Sequence, residues 1–427
     1  MSQVTLRAAA RESFGRLRQS QIYTGGVFGR RPEVPTAWAA LDRQAQRRLP
    51  ARAYGYVAGG AGSESTMAAD RAAFDRWRLV PRMLHDVSVR DTSVELFGHR
   101  LPAPLLLAPI GALGIVHRDG DLAVARAAAT HGVPLIFSNQ ASVAMERCAA
   151  AMRDAPRWFQ LYWSTSDELV ASLVGRAERA GCSAIVVTLD TTMLGWRPRD
   201  LDRAYLPFAV GDGLAQYTSD PVFRRLAGST VPSGPAGRPR LTELPALLRS
   251  VARMVSTTGR PPGSARGIVQ TFLQTYSRPS LTWDDLPALR SLTSLPIVLK
   301  GIQRGDDARR ALDAGVDGLI VSTHGGRQVD GARGALDSLP EVVAAVGGAV
   351  PVLMDSGVRS GADVLKAVAL GARAVCVGRP YALALGLAGR RGVDEVLANL
   401  IAEFDLTLGL CGYRYVAELE SSVLERV

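Results

Sequence analysis

Residues 350–379 read VPVLMDSGVRSGADVLKAVALGARAVCVGR. Val350–Asp355 and Ala374–Val377 are continuous apolar runs of strand length, and Gly361–Leu370 between them has helical spacing. Apolar runs without strict alternation belong to strands buried on both faces, and so to a parallel sheet. The stretch is a strand–helix–strand unit. Each of its strands runs out into glycine and arginine, Asp355-Ser356-Gly357-Val358-Arg359 and Gly378-Arg379.

The same unit repeats upstream. Leu105–Ala108, Pro134–Ser138, Trp158–Tyr162, Ala184–Asp190, Ile297–Lys300 and Gly318–Ser322 bring the expected strands to eight, with helical stretches such as Asp167–Ala180 between them. Eight βα units joined by right-handed crossovers close into an α/β fold, the (β/α)8 TIM barrel. An open doubly wound sheet is the alternative. The eightfold repetition and the lack of an early GxGxxG turn favour the barrel.

The rhythm breaks once. Residues 201–281 follow strand four before the next unit, and they carry Pro232-Ser233-Gly234-Pro235-Ala236-Gly237 and Gly259-Arg260-Pro261-Pro262-Gly263-Ser264. An insertion of that length at the carboxyl end of a barrel strand is expected to cover the active face as a lid. We expect a helix in it near Leu241–Val255, with the stretch around Gly259–Gly267 as its free tip. Residues 1–35 are expected to form an N-terminal arm for subunit contacts. Residues 36–420 form the barrel domain, opening on a helical pattern at Thr36–Tyr56, and 421–427 a C-terminal tail.

Composition narrows the function classes. Of 427 residues, 47% are hydrophobic and 21% charged, so the chain can bury a large core and is not disordered. Its four cysteines lie far apart with no CxxC pair, which argues against a disulfide framework or a metal cluster and fits a reducing cytoplasm. The net charge of +10 is no nucleic-acid signal: apart from Lys300 and Lys366 every basic residue is arginine, and the arginines are scattered beside Asp and Glu. The N-terminus has no apolar core of signal length. The most apolar stretch, Leu101–Val116, is interrupted by Pro102, Pro104 and Pro109, so no membrane span is expected.

A barrel carries its chemistry where strands end. Here those ends are Gln160-Leu161-Tyr162, Thr188-Leu189-Asp190, Lys300-Gly301, Ser322-Thr323-His324-Gly325-Gly326-Arg327, Asp355–Arg359 and Gly378-Arg379. Loops seven and eight commonly bind phosphate, here with Arg359 and Arg379. A lysine at position 300, in a chain that otherwise uses arginine, suits a site wanting a compact point charge, as a reduced flavin would. His324 is one of five histidines; Asp190 can orient it, giving a base and its support. Arg327 can grip a carboxylate in two-pronged fashion, with Arg197 nearby and Tyr56 and Tyr162 supplying hydroxyls.

The motifs Tyr54–Ala61, Ala108–Gly111, Phe159–Tyr162, Thr188–Thr191, Leu299–Gly301, His324–Gln328 and Asp355–Arg359 occur in that order. In this the sequence resembles the FMN-dependent α-hydroxy acid oxidase and dehydrogenase family. Pro81–Leu84, Leu194–Leu201, Asp220–Phe223 and the glycine at 326 are most similar to its lactate 2-monooxygenase branch. The resemblance implies FMN as cofactor, a small 2-hydroxy acid and O2 as partners, and a homo-oligomer, tetramer or octamer. It implies His324 as base, Asp190 behind it, Tyr162 near the substrate oxygen, and Tyr56, Arg197 and Arg327 on the carboxylate. It assigns FMN contacts to Pro109, Ile110, Gly111, Ser138, Gln160, Thr188, Lys300, Ser322, Asp355, Ser356, Gly357, Val358, Arg359, Gly378 and Arg379, and no metal. The expected reaction is oxidation of an L-2-hydroxy acid to a 2-oxo acid, with oxidative decarboxylation where the product is held. Gln140 departs from the family, which often has an aromatic residue there. A plain oxidase or dehydrogenase, a biosynthetic flavoenzyme acting on a larger metabolite, and a non-catalytic flavin-binding protein stay open as alternatives.

Overall fold

The structure, a computed structural model, describes residues 13–229 and 240–427. Eight strands close a barrel: β1 Leu105–Leu107, β2 Leu135–Phe137, β3 Arg157–Leu161, β4 Ile185–Thr188, β5 Ile297–Ile302, β6 Gly318–Val321, β7 Val352–Met354 and β8 Ala374–Val377. Each is bonded in parallel to the next, and β8 to β1. They form where the apolar runs lie, because Leu, Ile, Val and Ala there are buried on both faces, inside the barrel and under the helices. Several strands stop short of the apolar run that announced them. Ser138, Asp190, Ser322 and Asp355 leave the ladder and turn toward the barrel mouth. The register sets Thr188 beside Lys300 at that rim.

The helical pattern at 36–56 resolves into two helices, Trp38–Arg48 and Ala51–Ala58. The break falls at Leu49-Pro50, since proline lacks an N–H and keeps its predecessor out of the helical region. Of the N-terminal arm, the described part is the helix Phe14–Val27, which seats on the long last helix Arg379–Leu410. The Gly15 amide donates to Asp405 Oδ2 at 2.8 Å, and a Cβ on Gly15 would come within 2.5 Å of Leu406. Within the segment expected as a tail, Leu424–Arg426 pairs antiparallel with Trp77–Leu79.

The insertion is mostly helical. It contains Ala215–Thr218, Pro221–Ser229, Leu244–Thr258 and Pro262–Thr275. The helix expected near 241–255 is present a few residues later. The stretch around Gly259–Gly267 is not a free tip. Gly259, at φ +64°, ends one helix, Pro262 begins the next, and Ala265, Ile268, Val269 and Phe272 of that second helix are buried. Proline in the first turn starts a helix well, because the missing N–H would be unpaired there anyway. The Pro232–Gly237 stretch lies outside the described residues. No helix among the described residues is long and apolar enough to cross a membrane.

Candidate active site

The strand ends and the insertion enclose one cavity of about 1180 Å³, counting its open mouth. At its centre stands His324, just past β6. Its Nδ1 lies 2.6 Å from Oδ1 of Asp190, just past β4, and Thr191 Oγ1 lies 3.2 Å from the same nitrogen. His324 adopts φ +58°, a conformation that costs a non-glycine residue on the order of 1–3 kcal/mol. Its amide holds that turn by donating to Ser322 Oγ at 2.9 Å. Burial depresses the imidazole pKa below its ordinary 6.5, against the upward pull of Asp190. Burial opposes ionisation of Asp190, but His324 and Lys300 outweigh it and bring the carboxyl down to about 2. The pair therefore rests as neutral imidazole and carboxylate. The Nδ1 proton points at Asp190, and Nε2 is left with its lone pair to accept a proton.

Beside the histidine lie two guanidinium groups, Arg197, which is buried, and Arg327, which is half-buried. Arg327 donates from Nη1 to the carbonyls of Tyr56 and Gly59, both at 2.7 Å, and sits 5.1 Å from the Tyr56 ring centre. Burial, reinforced by Arg197, pushes it down to about 10. Neither arginine has a carboxylate partner within 4 Å among the described residues, so the corner is an unneutralised cationic site suited to an anion. Gln328 ties it together. Its Nε2 donates to the carbonyls of Asp190 and Met193 at 2.8 Å, and its Oε1 accepts from Arg197 Nη2 at 2.8 Å. A Cβ on Gly195 would lie 2.6 Å from the Arg327 carbonyl, so only glycine lets the two loops approach this closely.

The opposite half of the cavity is a cradle. Lys300 Nζ donates to Ser322 Oγ at 2.7 Å and pairs with Asp355 Oδ2 at 3.0 Å; Asp190 is 3.9 Å away. Burial works against its charge, but the two carboxylates prevail and raise its pKa, so it stays protonated. Thr188 Oγ1 in the lining is buried without a hydrogen-bond partner, as are Gln160 Nε2 and Asn139 Nδ2 in the wall behind it. Buried polar atoms are rarely left unpaired. A ring system bearing carbonyls and ring nitrogens would satisfy them. At the far end, Gly378-Arg379 opens the helix Arg379–Leu410, and Arg359 lies 4.1 Å from the centre of the Trp38 ring with its Nε unpartnered. Burial and the mutual repulsion of Arg359, Arg327 and Arg379 push Arg379 down to about 9, and Arg359, by burial and Arg71, down to about 10. Two half-buried cations, each at or just before the N-terminus of a helix, fit a phosphate dianion.

Most residues singled out in the sequence meet here. Tyr56, Tyr162, Arg197, His324 and Arg327 line the cavity, as do Pro109, Ile110, Gly111, Ser138, Thr188, Lys300, Asp355–Arg359, Gly378 and Arg379. Three stand outside the lining. Asp190 is behind His324, Ser322 is fully buried beneath Lys300 and the His324 amide, and Gln160 orders the Asn139 backbone from within the wall. Gln328, Asn139, Trp38 and the insertion residues Leu206, Phe208, Phe272, Leu273 and Tyr276 escaped the sequence reading. Only Gln328 carried a signal, as the last residue of the His324–Gln328 motif. The insertion residues have no motif, and only folding brings them to the mouth.

Known proteins resemble this chain over most of its length. The FMN-dependent dehydrogenase family matches residues 45–426. An FMN-dependent alpha-hydroxy acid dehydrogenase of Penicillium citrinum is 42% identical over 96% of this chain and 95% of its own length. An L-lactate oxidase of Lysinibacillus sphaericus is 42% identical over 91% of this chain and 92% of its own length. Among solved structures, mandelate oxidase with (S)-4-hydroxymandelic acid superposes with a TM-score of 0.75 at 38% identity, over 92% of this chain and 98% of that one.

Proposed function

Because this chain belongs to the FMN-dependent dehydrogenase family, we propose that its cavity oxidises an L-2-hydroxy acid to the 2-oxo acid with O2 as final electron acceptor. Its cofactor is FMN, and it is an oxidoreductase of the α-hydroxy acid oxidase family. The unpartnered polar atoms and paired arginines of the cradle fit that cofactor: Gln160, Thr188 and Lys300 toward its ring, Arg359, Gly378 and Arg379 toward its phosphate. When bound, FMN supplies the acceptor for the two electrons that leave the substrate.

The observation that carries the reading is the His324–Asp190 pair in one cavity with Arg327, Arg197 and Tyr56. In this scheme Arg327, Arg197 and the Tyr56 hydroxyl hold the substrate carboxylate, and Tyr162 faces its hydroxyl. His324 Nε2 takes one proton, and Asp190 stabilises the imidazolium that results. The oxidase stoichiometry is R–CHOH–COO⁻ + O2 → R–CO–COO⁻ + H2O2. Where the 2-oxo acid is retained until the peroxide is consumed, the products become R–COO⁻, CO2 and H2O, the lactate 2-monooxygenase outcome. The helical insertion over the mouth supports such retention. Product analysis tests it: the retained route yields CO2 with little free H2O2, and stoichiometric H2O2 leaves the plain oxidase.

The same proposal places the protein in the cytoplasm as a homo-oligomer. Four buried, unpaired cysteines support a reducing compartment, and the exposed Tyr23, Val27 and Phe28 at the N-terminal helix support assembly.

A further inference from the structure

Residues 201–281 contribute five side chains to the cavity lining, Leu206, Phe208, Phe272, Leu273 and Tyr276, and none is charged. Every charged group of the lining stands outside the insertion. The helix Pro262–Thr275 also carries Arg266, Gln270 and Gln274, yet only Phe272 and Leu273 of that helix reach the lining. The insertion thus presents an apolar wall to a cavity whose charged groups all stand on its other walls.

That wall is continuous with the anion corner. The Tyr56 ring, against Arg327, meets Phe208 edge-on at 6.3 Å between centroids. Phe208 leans on Phe272 at 5.5 Å, and Phe272 stacks with Tyr276 at 5.0 Å and meets Tyr217 edge-on at 4.9 Å. Phe208 and Phe272 are buried, and Tyr217 sits fully buried behind them. Aromatic pairs in such offset and edge-on arrangements add a modest stabilisation beyond that of their buried area. A molecule anchored by its carboxylate at Arg327 has its remaining substituent beside this aromatic row. A hydrogen or methyl would leave the accessible part of this wall, Leu273 with the half-buried Leu206 and Tyr276, uncovered. A bulky apolar group would bury it and gain the corresponding hydrophobic stabilisation.

We infer that the substrate is a 2-hydroxy acid with a bulky apolar side chain, branched aliphatic or aromatic, selected over glycolate and lactate by the insertion wall. This rests on the proposed oxidation of 2-hydroxy acids in the same cavity.

The test uses the FMN-loaded enzyme. Anaerobic flavin reduction gives kcat/KM for glycolate, lactate, malate, 2-hydroxyisocaproate and phenyllactate. The two bulky apolar acids are expected to exceed lactate by at least about tenfold, the scale on which apolar pockets discriminate a few methylenes. Malate, which sets a second carboxylate against the uncharged wall, is expected among the poorest. Binding of unreactive acids, read from the flavin absorbance, provides a measure without turnover: phenylacetate should bind more tightly than acetate. Leu273 is exposed and Leu206 half-buried, so Leu273→Ala and Leu206→Ala should fold. Each is expected to lower the phenyllactate-to-lactate ratio by about 3- to 10-fold. A preference for lactate or glycolate, or a ratio unchanged in both variants, overturns the inference while leaving 2-hydroxy acid oxidation intact. If no acid in the series reduces the flavin, the underlying reading falls with it.

Discussion

Oδ1 of Asp190 lies 2.6 Å from Nδ1 of His324, although 134 residues separate them in the chain. The contact joins the ends of β4 and β6, two strands with β5 between them. It settles which imidazole nitrogen holds the proton, and so which one is free to act. It also gives the cation formed by proton uptake a buried counter-charge. Lys300, on the intervening strand, balances the same carboxylate from 3.9 Å.

Replacing His324 by Ala should leave the cradle residues in place, because none of them depends on the imidazole. FMN retention is therefore expected, while anaerobic reduction by substrate slows by on the order of 10²–10⁴. Stopped-flow bleaching of the yellow protein measures this. A variant that bleaches within tenfold of the parent would assign the base elsewhere.

The pH profile follows from the same pair. His324 works as the neutral imidazole, so kcat/KM rises with pH through its pKa. Burial lowers that pKa, which puts the midpoint of the acid limb below the ordinary 6.5. Asp190 acts in the opposite direction and raises it. Asp190→Asn should therefore move the midpoint further down, as well as reduce the rate. A midpoint that rises in Asp190→Asn would contradict the proposed electrostatics.

The half-buried guanidinium groups of Arg379 and Arg359 have no carboxylate within 4 Å among the described residues. In Arg379→Met one charge-assisted contact to phosphate is lost. FMN affinity is expected to fall on the order of 10- to 100-fold, while riboflavin, which lacks the phosphate, changes little. Fluorescence titration of the apoprotein with both compounds reads the difference. Equal losses for the two would locate the phosphate away from Arg379.

Stability should carry a pH signature from Asp121, which lies outside the active cavity. Its carboxyl accepts from the amides of Ser142 and Val143 at 2.8 and 3.1 Å, yet burial raises its pKa from 3.8 to about 7. The folded state thus holds a proton that the unfolded chain gives up near pH 4. This contribution is complete below about pH 4 and is lost as pH rises through about 7. Comparing Tm from pH 5 to 8, Asp121→Asn should show the flatter curve. Parallel curves for the two proteins would refute the assignment.

The sequence alone determined the barrel and most of its functional rim. Eight apolar runs of strand length are a local signal, written in residues that must be buried wherever they occur. The polar residues that end those runs point to the mouth because a parallel barrel leaves its strand ends no other place. His324, Asp190, Lys300, Arg327, Arg359 and Arg379 were legible for that reason. What tertiary structure alone decided is which side chains face one another. Gln328 stitches two loops through contacts more than 130 residues apart, Trp38 comes from a helix ahead of the barrel, and Ser322 serves from below the floor. The Gly259–Gly267 stretch reads as loop by composition, yet it runs into a helix, because Pro262 suits a helix start and the residues after it are buried against the insertion. The wall of Leu206, Phe208, Phe272, Leu273 and Tyr276 is the clearest case. An apolar side chain in an insertion looks the same in sequence whether it fills a core or faces a substrate, and only the path of the folded chain distinguishes the two.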